Sequence, residues 1–229
     1  MRGGIAELLG NDARHLTRVL RVEPGQRFEI SDNRNAWLAE IAEARGERVV
    51  FRAIEALDAP EPPVRITLCA SLVKFDRFEW MIEKATELGV ERILPVDATR
   101  SERGLAKASH KRSERWVRIA RESSQQSRRV RVPEILAAVP FEKSLSLEAD
   151  YRYCLDEEEA PPLLRSMPAE RPPGSRVAVL VGPEGGWTGA ERQMSAAAGW
   201  QPVSLGPQVL RAETAAAAAL AVLMNAWIA

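Results

Sequence analysis

Val179-Leu180-Val181-Gly182-Pro183-Glu184-Gly185-Gly186-Trp187-Thr188 is the segment whose residue types and order best suit chemistry. An apolar run enters a turn of glycine and proline. Thr188, with Glu191 three residues on, then opens a helix as a capping box. Glycines let backbone amides come close to a ligand, and in an open α/β sheet ligands sit at the carboxyl ends of strands. The segment is neither a Walker loop nor a dinucleotide fingerprint, because the lysine and the glycine spacing are both missing. Taken alone, such a strand exit is more often a turn than a cofactor site.

The pattern then recurs. Val203-Ser204-Leu205-Gly206-Pro207 leaves a second strand, and Val209-Leu210-Arg211-Ala212-Glu213-Thr214 opens a helix of nearly pure alanine. That helix is apolar on every side, so it must be buried in the core or at a subunit interface. High helix propensity is the plainer reason for the alanines. Cys69 and Cys154 lie in apolar strand-like runs, with no CxxC and two histidines in all. A disulfide framework and a structural zinc site are therefore not expected, and no metal is assigned.

The formal net charge is zero, which argues against a uniform polyanion-binding surface. Its distribution is uneven. Between Arg100 and Arg131 eleven Lys or Arg face three acids, whereas acids gather at Asp156-Glu157-Glu158-Glu159. This segregation suits a localised nucleic-acid face, although a solvated helix of an ordinary enzyme has the same look. Met1-Arg2-Gly3-Gly4 leads into no apolar run, and Ala215 to Ala229 is short for a span and holds Asn225. A soluble, cytoplasmic protein is expected.

The elements that must position these residues fall into two groups. Residues 1–60 carry short alternating runs, Arg27 to Asp32 and Ala36 to Ile41, with turns at Asp32-Asn33-Arg34-Asn35, Pro24-Gly25 and Arg45-Gly46. They predict a small β-barrel or sandwich. A short helix, His15 to Arg21, precedes them with Leu16, Val19 and Leu20 on one face. Asp58-Ala59-Pro60-Glu61-Pro62-Pro63 reads as a stiff linker. Residues 64–229 then alternate strand and helix. Strands are expected at Arg65 to Val73, Arg92 to Asp97, Tyr151 to Leu155, Arg176 to Val181 and Gln201 to Leu205. Helices are expected at Phe75 to Leu88, Lys107 to Gln126, Thr188 to Ala198 and Arg211 to Ile228. The fold class is α/β with a mainly parallel sheet. Leu136 to Pro173 is the loosest stretch.

The two glycine-bearing exits, read as adjacent, with the small-residue helix after the second, resemble the cofactor loops of the SPOUT methyltransferases. Lys74-Phe75-Asp76-Arg77-Phe78-Glu79-Trp80-Met81-Ile82-Glu83-Lys84-Ala85-Thr86-Glu87-Leu88-Gly89-Val90 and Arg115-Trp116-Val117-Arg118-Ile119-Ala120-Arg121-Glu122-Ser123-Ser124-Gln125-Gln126-Ser127 narrow the resemblance. With Arg131-Val132-Pro133-Glu134-Ile135 and His15-Leu16-Thr17-Arg18-Val19-Leu20-Arg21, they are similar to the ribosomal small-subunit methyltransferase E family, the 16S rRNA uracil-N3 methyltransferases. The resemblance covers nearly the whole chain. It implies a PUA-like RNA-binding β-barrel, then a catalytic domain with a deep trefoil knot, working as a homodimer for which the last helix with Trp227 offers a surface. Phe75 and Arg128 depart from the pattern, standing where glycine is expected, and the first strand before the His-Leu helix looks absent, leaving the barrel incompletely closed.

By the same resemblance, S-adenosylmethionine is the methyl donor. Its contacts fall to Leu180, Gly182, Pro183, Glu184, Gly185, Gly186, Leu205, Gly206, Val209, Leu210 and Arg211. Candidates for the chemistry are Arg211, Glu213, Glu184 and Glu122: the arginine to stabilise an anionic uracil, a carboxylate to take the N3 proton. Glu213 equally suits the helix dipole and Glu184 its own loop's amides. RNA contacts are expected from Arg14, His15, Arg18 and Arg21, and from Arg100, Arg103, Lys107, Lys111, Arg115, Arg118, Arg121 and Arg128; some of these are expected to serve internal salt bridges instead. A ribose 2′-O methyltransferase of the same superfamily and a cofactor-free ribosome-assembly factor are the alternatives. A hydrolase is not, since no Gly-x-Ser-x-Gly elbow occurs.

Overall fold

A computed structural model describes residues 3–158 and 160–228; Met1, Arg2, Ala229 and the Glu159 of the acidic run lie outside the described residues. The chain divides into two units, 1–60 and 61–229.

The first unit begins with strand β1 (Ile5–Leu9), helix α1 (Gly10–Arg14) and a wide helical turn, His15–Leu20. Strands β2 (Arg27–Ser31), β3 (Ala36–Arg45) and β4 (Arg48–Leu57) follow. They form an antiparallel sheet in the order β1-β4-β3-β2. A strand therefore does precede the His-Leu segment, contrary to the sequence expectation. Among the described residues β1 and β2 are the sheet's two ends, so it is an open sheet rather than a closed barrel. Asp32 makes the β2–β3 turn by accepting from the amides of Arg34 (3.1 Å) and Asn35 (2.9 Å). Ala13, Ile41, Val49 and Phe51 form the core, with Phe28 edge-on to Phe51 at 6.3 Å. Only Leu16 of the expected apolar face packs on it; Val19 and Leu20 are exposed.

In the second unit the strands are β5 (Val64–Ser71), β6 (Arg92–Asp97), the two-residue β7 (Glu134–Ile135) and β8 (Val139–Pro140), β9 (Tyr151–Leu155), β10 (Ser175–Val181) and β11 (Gln201–Val203). All pair parallel in the order β11-β9-β10-β5-β6-β7, with β8 also against β6. The helices are α2 (Phe75–Glu87), α3 (Leu105–Ser109), α4 (Ser113–Gln126), α5 (Phe141–Ser144), α6 (Leu163–Ser166), α7 (Gly189–Ala197) and α8 (Ala212–Ile228).

Both sheet faces are covered, which is why β5 and β10 read as continuous apolar runs. Val177, Val179 and Val181 join the core under α2, α4 and α8; Ala178 and Leu180 point the other way, into a core with Phe141, Trp187 and Trp200. Helix α8 packs on α2, β5 and β10, burying Ala216, Leu220, Leu223 and Trp227 within this unit. Most of its apolar character is thus spent inside the chain: Trp227 is only 6% exposed, whereas Ile228 is exposed. The long basic helix expected from Lys107 is broken, with a tight turn at His110–Arg112 between α3 and α4. No helix among the described residues is long and apolar enough to cross a membrane.

Helix α4 ends in a left-handed residue, Arg128, at φ +56°, the conformation that explains the expectation of glycine there. Its neighbour Arg129 turns inward and donates to the carbonyls of Thr86 (2.6 Å) and Val90 (2.9 Å), closing α2; burial pulls this guanidinium down to about 10. Arg128→Gly relieves the Cβ penalty of that conformation. It should stabilise the chain by about 1 kcal/mol in urea denaturation, the left-handed penalty being roughly 1–2 kcal/mol. No gain, or a loss, would mean that the Arg128 side chain outweighs its strain.

Candidate active site

Because the sheet is parallel, the carboxyl ends of β9, β10 and β11 open on one edge, and a cleft of about 320 Å³ lies there. Three chain segments line it. Gly182, Pro183, Glu184, Gly186 and Trp187 come from the β10 exit; Leu155, Asp156 and Glu157 from the β9 exit; Leu205 to Ala212 with Ala215 from the β11 exit and the start of α8. Arg77, in the first turn of α2, completes it. The β10 and β11 exits are not neighbours, as the sequence suggested, because β9 lies between their strands.

Trp187 is the wedge that fixes the shape. Its ring packs beside Phe141 (5.2 Å), and Nε1 donates to the Leu155 carbonyl at 2.8 Å, tying the β10 exit to the β9 exit. Gly182 gives that ring its room, since a Cβ there would lie a tight 3.2 Å from it. The Arg192 guanidinium grips the same two exits. It donates to both oxygens of Asp156 (2.8 and 2.9 Å) and to the Trp187 carbonyl (2.7 Å). Burial pushes the Asp156 carboxyl up, but the Arg192 guanidinium and the amides of Glu158 and Glu157 outweigh it and hold the group below its ordinary range.

Thr188 and Glu191 form the expected capping box: Thr188 Oγ1 accepts from the Glu191 amide at 3.2 Å, and Glu191 Oε2 accepts from the Thr188 amide at 2.8 Å. Glu191, 1% exposed, also accepts from the Thr99 amide at 2.8 Å. Burial raises its carboxyl, and the amides of Thr188 and Thr99 more than reverse the effect.

Most residues assigned to the donor by resemblance share this cleft: Gly182, Pro183, Glu184, Gly186, Leu205, Gly206, Val209, Leu210 and Arg211. Leu180 and Gly185 do not. Leu180 is fully buried in the second core, and Gly185 backs onto Arg100, whose Nη1 donates to its carbonyl at 2.8 Å. Of the chemical candidates, Arg211 and Glu184 line the cleft and Glu213 and Glu122 do not. Glu213 holds one buried carboxylate oxygen without a hydrogen-bond partner among the described residues, and Glu122 is exposed on α4. The sequence reading missed Arg77, which pairs with Glu184, and the whole β9 exit. An acidic run directly after an apolar strand was the available signal.

The basic segment is partly turned inward. Arg100 holds the β10 loop, Arg115 pairs with Glu79 (2.8 Å), and Arg112 stacks over Phe75 (5.1 Å to the ring). Arg103, Lys107, Lys111, Arg118, Arg121 and Arg128 are exposed. In the first unit His15, Arg18 and Arg21 are exposed, while Arg14 pairs with Glu47. Burial pushes both Cys69 and Cys154 up to about 12, so neither is a thiolate nucleophile at neutral pH. Among the described residues no group of three His, Cys, Asp or Glu side chains could hold a metal ion.

A doubly covered parallel sheet with a backbone-lined cleft at its strand ends defines a small-molecule-binding α/β domain. Family models place it further: an RNA methyltransferase domain matches residues 60–224, and an RNA methyltransferase PUA domain matches residues 8–54. The ribosomal RNA small subunit methyltransferase E of Synechocystis is 35% identical over 213 residues, covering 90% of this chain and 68% of that one. Its Bacillus subtilis counterpart is 30% identical, covering 94% and 88%. The Neisseria gonorrhoeae enzyme, solved bound to S-adenosyl methionine, superposes with a TM-score of 0.87 at 32% identity, covering 97% and 92%. The chain belongs to the ribosomal RNA small subunit methyltransferase E family.

Asp156→Ala removes two of the Arg192 guanidinium's bonds and leaves it, 20% exposed, with Glu158 and the Trp187 carbonyl, which should destabilise the chain by about 1–3 kcal/mol in denaturant unfolding. Both Asp156 and Glu191 have folded values below their unfolded ones, so their contribution is full above about pH 5 and lost as pH falls through the folded values. The wild type should therefore lose stability as pH falls below about 5, and Asp156→Ala less of it. Identical pH profiles for the two would contradict this.

Proposed function

We propose that the chain transfers the methyl group of S-adenosylmethionine to N3 of one uridine in 16S rRNA of the small ribosomal subunit. The observation that carries the reading is the cleft. Its volume falls in the ordinary ligand range, and its walls are strand-exit backbone and apolar side chains, with the carboxylates of Asp156 and Glu184 already paired. Such walls fit an adenine-bearing donor: Leu205, Val209 and Leu210 offer apolar contact, while Gly182, Gly186 and Gly206 leave backbone groups open. When bound, the donor supplies an activated methyl group, so positioning provides much of the acceleration.

The chain's own residues then handle the uracil. N3–H is a weak acid, protonated at neutral pH, and its anion spreads charge onto the flanking carbonyl oxygens. Arg211, at the N-terminus of α8, stabilises that charge. Glu184, held by Arg77, accepts the proton. A carboxylate is a poor base for so weak an acid, so Arg211 carries the larger share. N3 lies on the pairing edge, so the uridine enters unpaired or flipped. The exposed Lys and Arg of α3 and α4, and separately those of the PUA-like unit, bind phosphates.

Return of α8 from beside edge strand β11 to β5 and β10 supports a knotted crossing. A homodimer in the bacterial cytoplasm completes the reading, with Leu164 and Ile228 as exposed apolar side chains on elements that pack together.

Labelled donor, undermethylated small subunits and naked 16S rRNA, followed by nucleoside mass spectrometry, should yield 3-methyluridine. Ribose methylation, or no incorporation into either RNA, would overturn the assignment. In the same assay Arg211→Met should lower kcat roughly 100-fold or more, the scale of losing one donor to a developing anion. Glu184→Gln should lower it less, and a kcat unchanged by Arg211→Met would remove that residue from the mechanism.

A further inference from the structure

Three carboxylates line the cleft at the β9 and β10 exits, and two of them are neutralised inside the chain. Asp156 is gripped by Arg192, and Glu184 pairs with Arg77. Glu157 makes no hydrogen bond or ion pair through its side chain with any described residue. Arg192, already engaged by Asp156 and by Glu158 at 3.1 Å, feels it only at longer range. At the β9 and β10 exits the cleft wall therefore carries one unpaired negative charge, while Arg211 brings a positive one from the β11 exit.

The glycine loop leaves room for that charge. Gly186 has φ +67°, and the Glu157 carboxylate occupies the space that a Cβ at this glycine would fill. A glycine in the β10 exit thus lets a carboxylate from the β9 exit lie against the loop. Trp187 and Arg192, which join the two exits, hold both partners in register. Glu157 is exposed at the cleft, and a carboxylate there without a cation of its own attracts a positively charged ligand, the more so once the ligand displaces water from beside it.

Resting on the methyl-donor reading above, we propose that Glu157 makes the cleft prefer the positively charged sulfonium donor over the uncharged thioether left after transfer. Methyl transfer removes one positive charge from the sulfur, so a fixed negative charge distinguishes substrate from product although their shapes nearly coincide. The carboxylate holds the donor before reaction and loosens its hold on the product afterwards. Its effect falls on binding and on KM, since it acts on the ground state.

Isothermal titration calorimetry with S-adenosylmethionine and with S-adenosylhomocysteine tests this. Glu157→Gln should weaken the sulfonium ligand roughly fivefold or more, with the thioether changed less than about twofold and the gap narrowing in high salt. Glu158→Gln, which alters only the Arg192 pairing, should leave the ratio of the two affinities as in the wild type. Equal weakening of both ligands by Glu157→Gln would overturn the proposal and assign the carboxylate to a group that the two share, such as the ribose hydroxyls. No change in either would overturn it as well. If the wild type bound neither compound, the methyl-donor reading itself would fall, and this inference with it.

Discussion

The cleft depends on one arrangement: a buried tryptophan and a half-buried arginine that join two neighbouring strand exits. In a parallel sheet nothing in the ladder fixes what happens after a strand ends. Here Trp187 reaches from the β10 exit to the Leu155 carbonyl, and Arg192 spans Asp156 and the Trp187 carbonyl. Without these bonds the glycines that open the wall would leave it shapeless. With them, Gly182 accommodates the indole and Gly186 the Glu157 carboxylate. The same residues that make the loops pliant make the wedge possible.

Charge is divided by the same logic. The carboxylates and guanidiniums near the cleft are mostly consumed in fixing loops: Arg192 on Asp156, Arg100 on the Gly185 carbonyl, Arg77 on Glu184. What is left over, Glu157 and Arg211 in the cleft with Lys107 of α3 and Arg118 of α4, is what a ligand or a nucleic acid can meet. Much of the basic excess between Arg100 and Arg131 is thus structural. Arg129 closes α2 and Arg131 pairs with Glu61 at 2.8 Å, so the field over α4 is weaker than the residue types alone suggest.

Elements with strong local signals were legible in the sequence. Strands β6 and β9 lie where the apolar runs put them, and the Thr188–Glu191 box opens α7 as its spacing requires. The two-residue strands β7 and β8 and the single-turn helices α5 and α6 carried no such signal, because tertiary contacts alone order them. The break at His110–Arg112 has no proline or glycine to announce it. The β9 exit was missed as part of the site because strand order is not a local property: β10 inserts between β9 and β5, which brings Asp156 and Glu157 beside the glycine loop. Arg77 was visible only as one residue of a helix motif, since its partner Glu184 is far away in sequence.

The central claim is that the β9, β10 and β11 exits form the donor site, and a crystal structure of the chain grown with S-adenosylmethionine tests it most directly. The account predicts density between Gly182–Gly186 and Leu205–Arg211, with the Trp187–Leu155 and Arg192–Asp156 bonds intact. Donor bound elsewhere, or those bonds broken to admit it, would contradict the account.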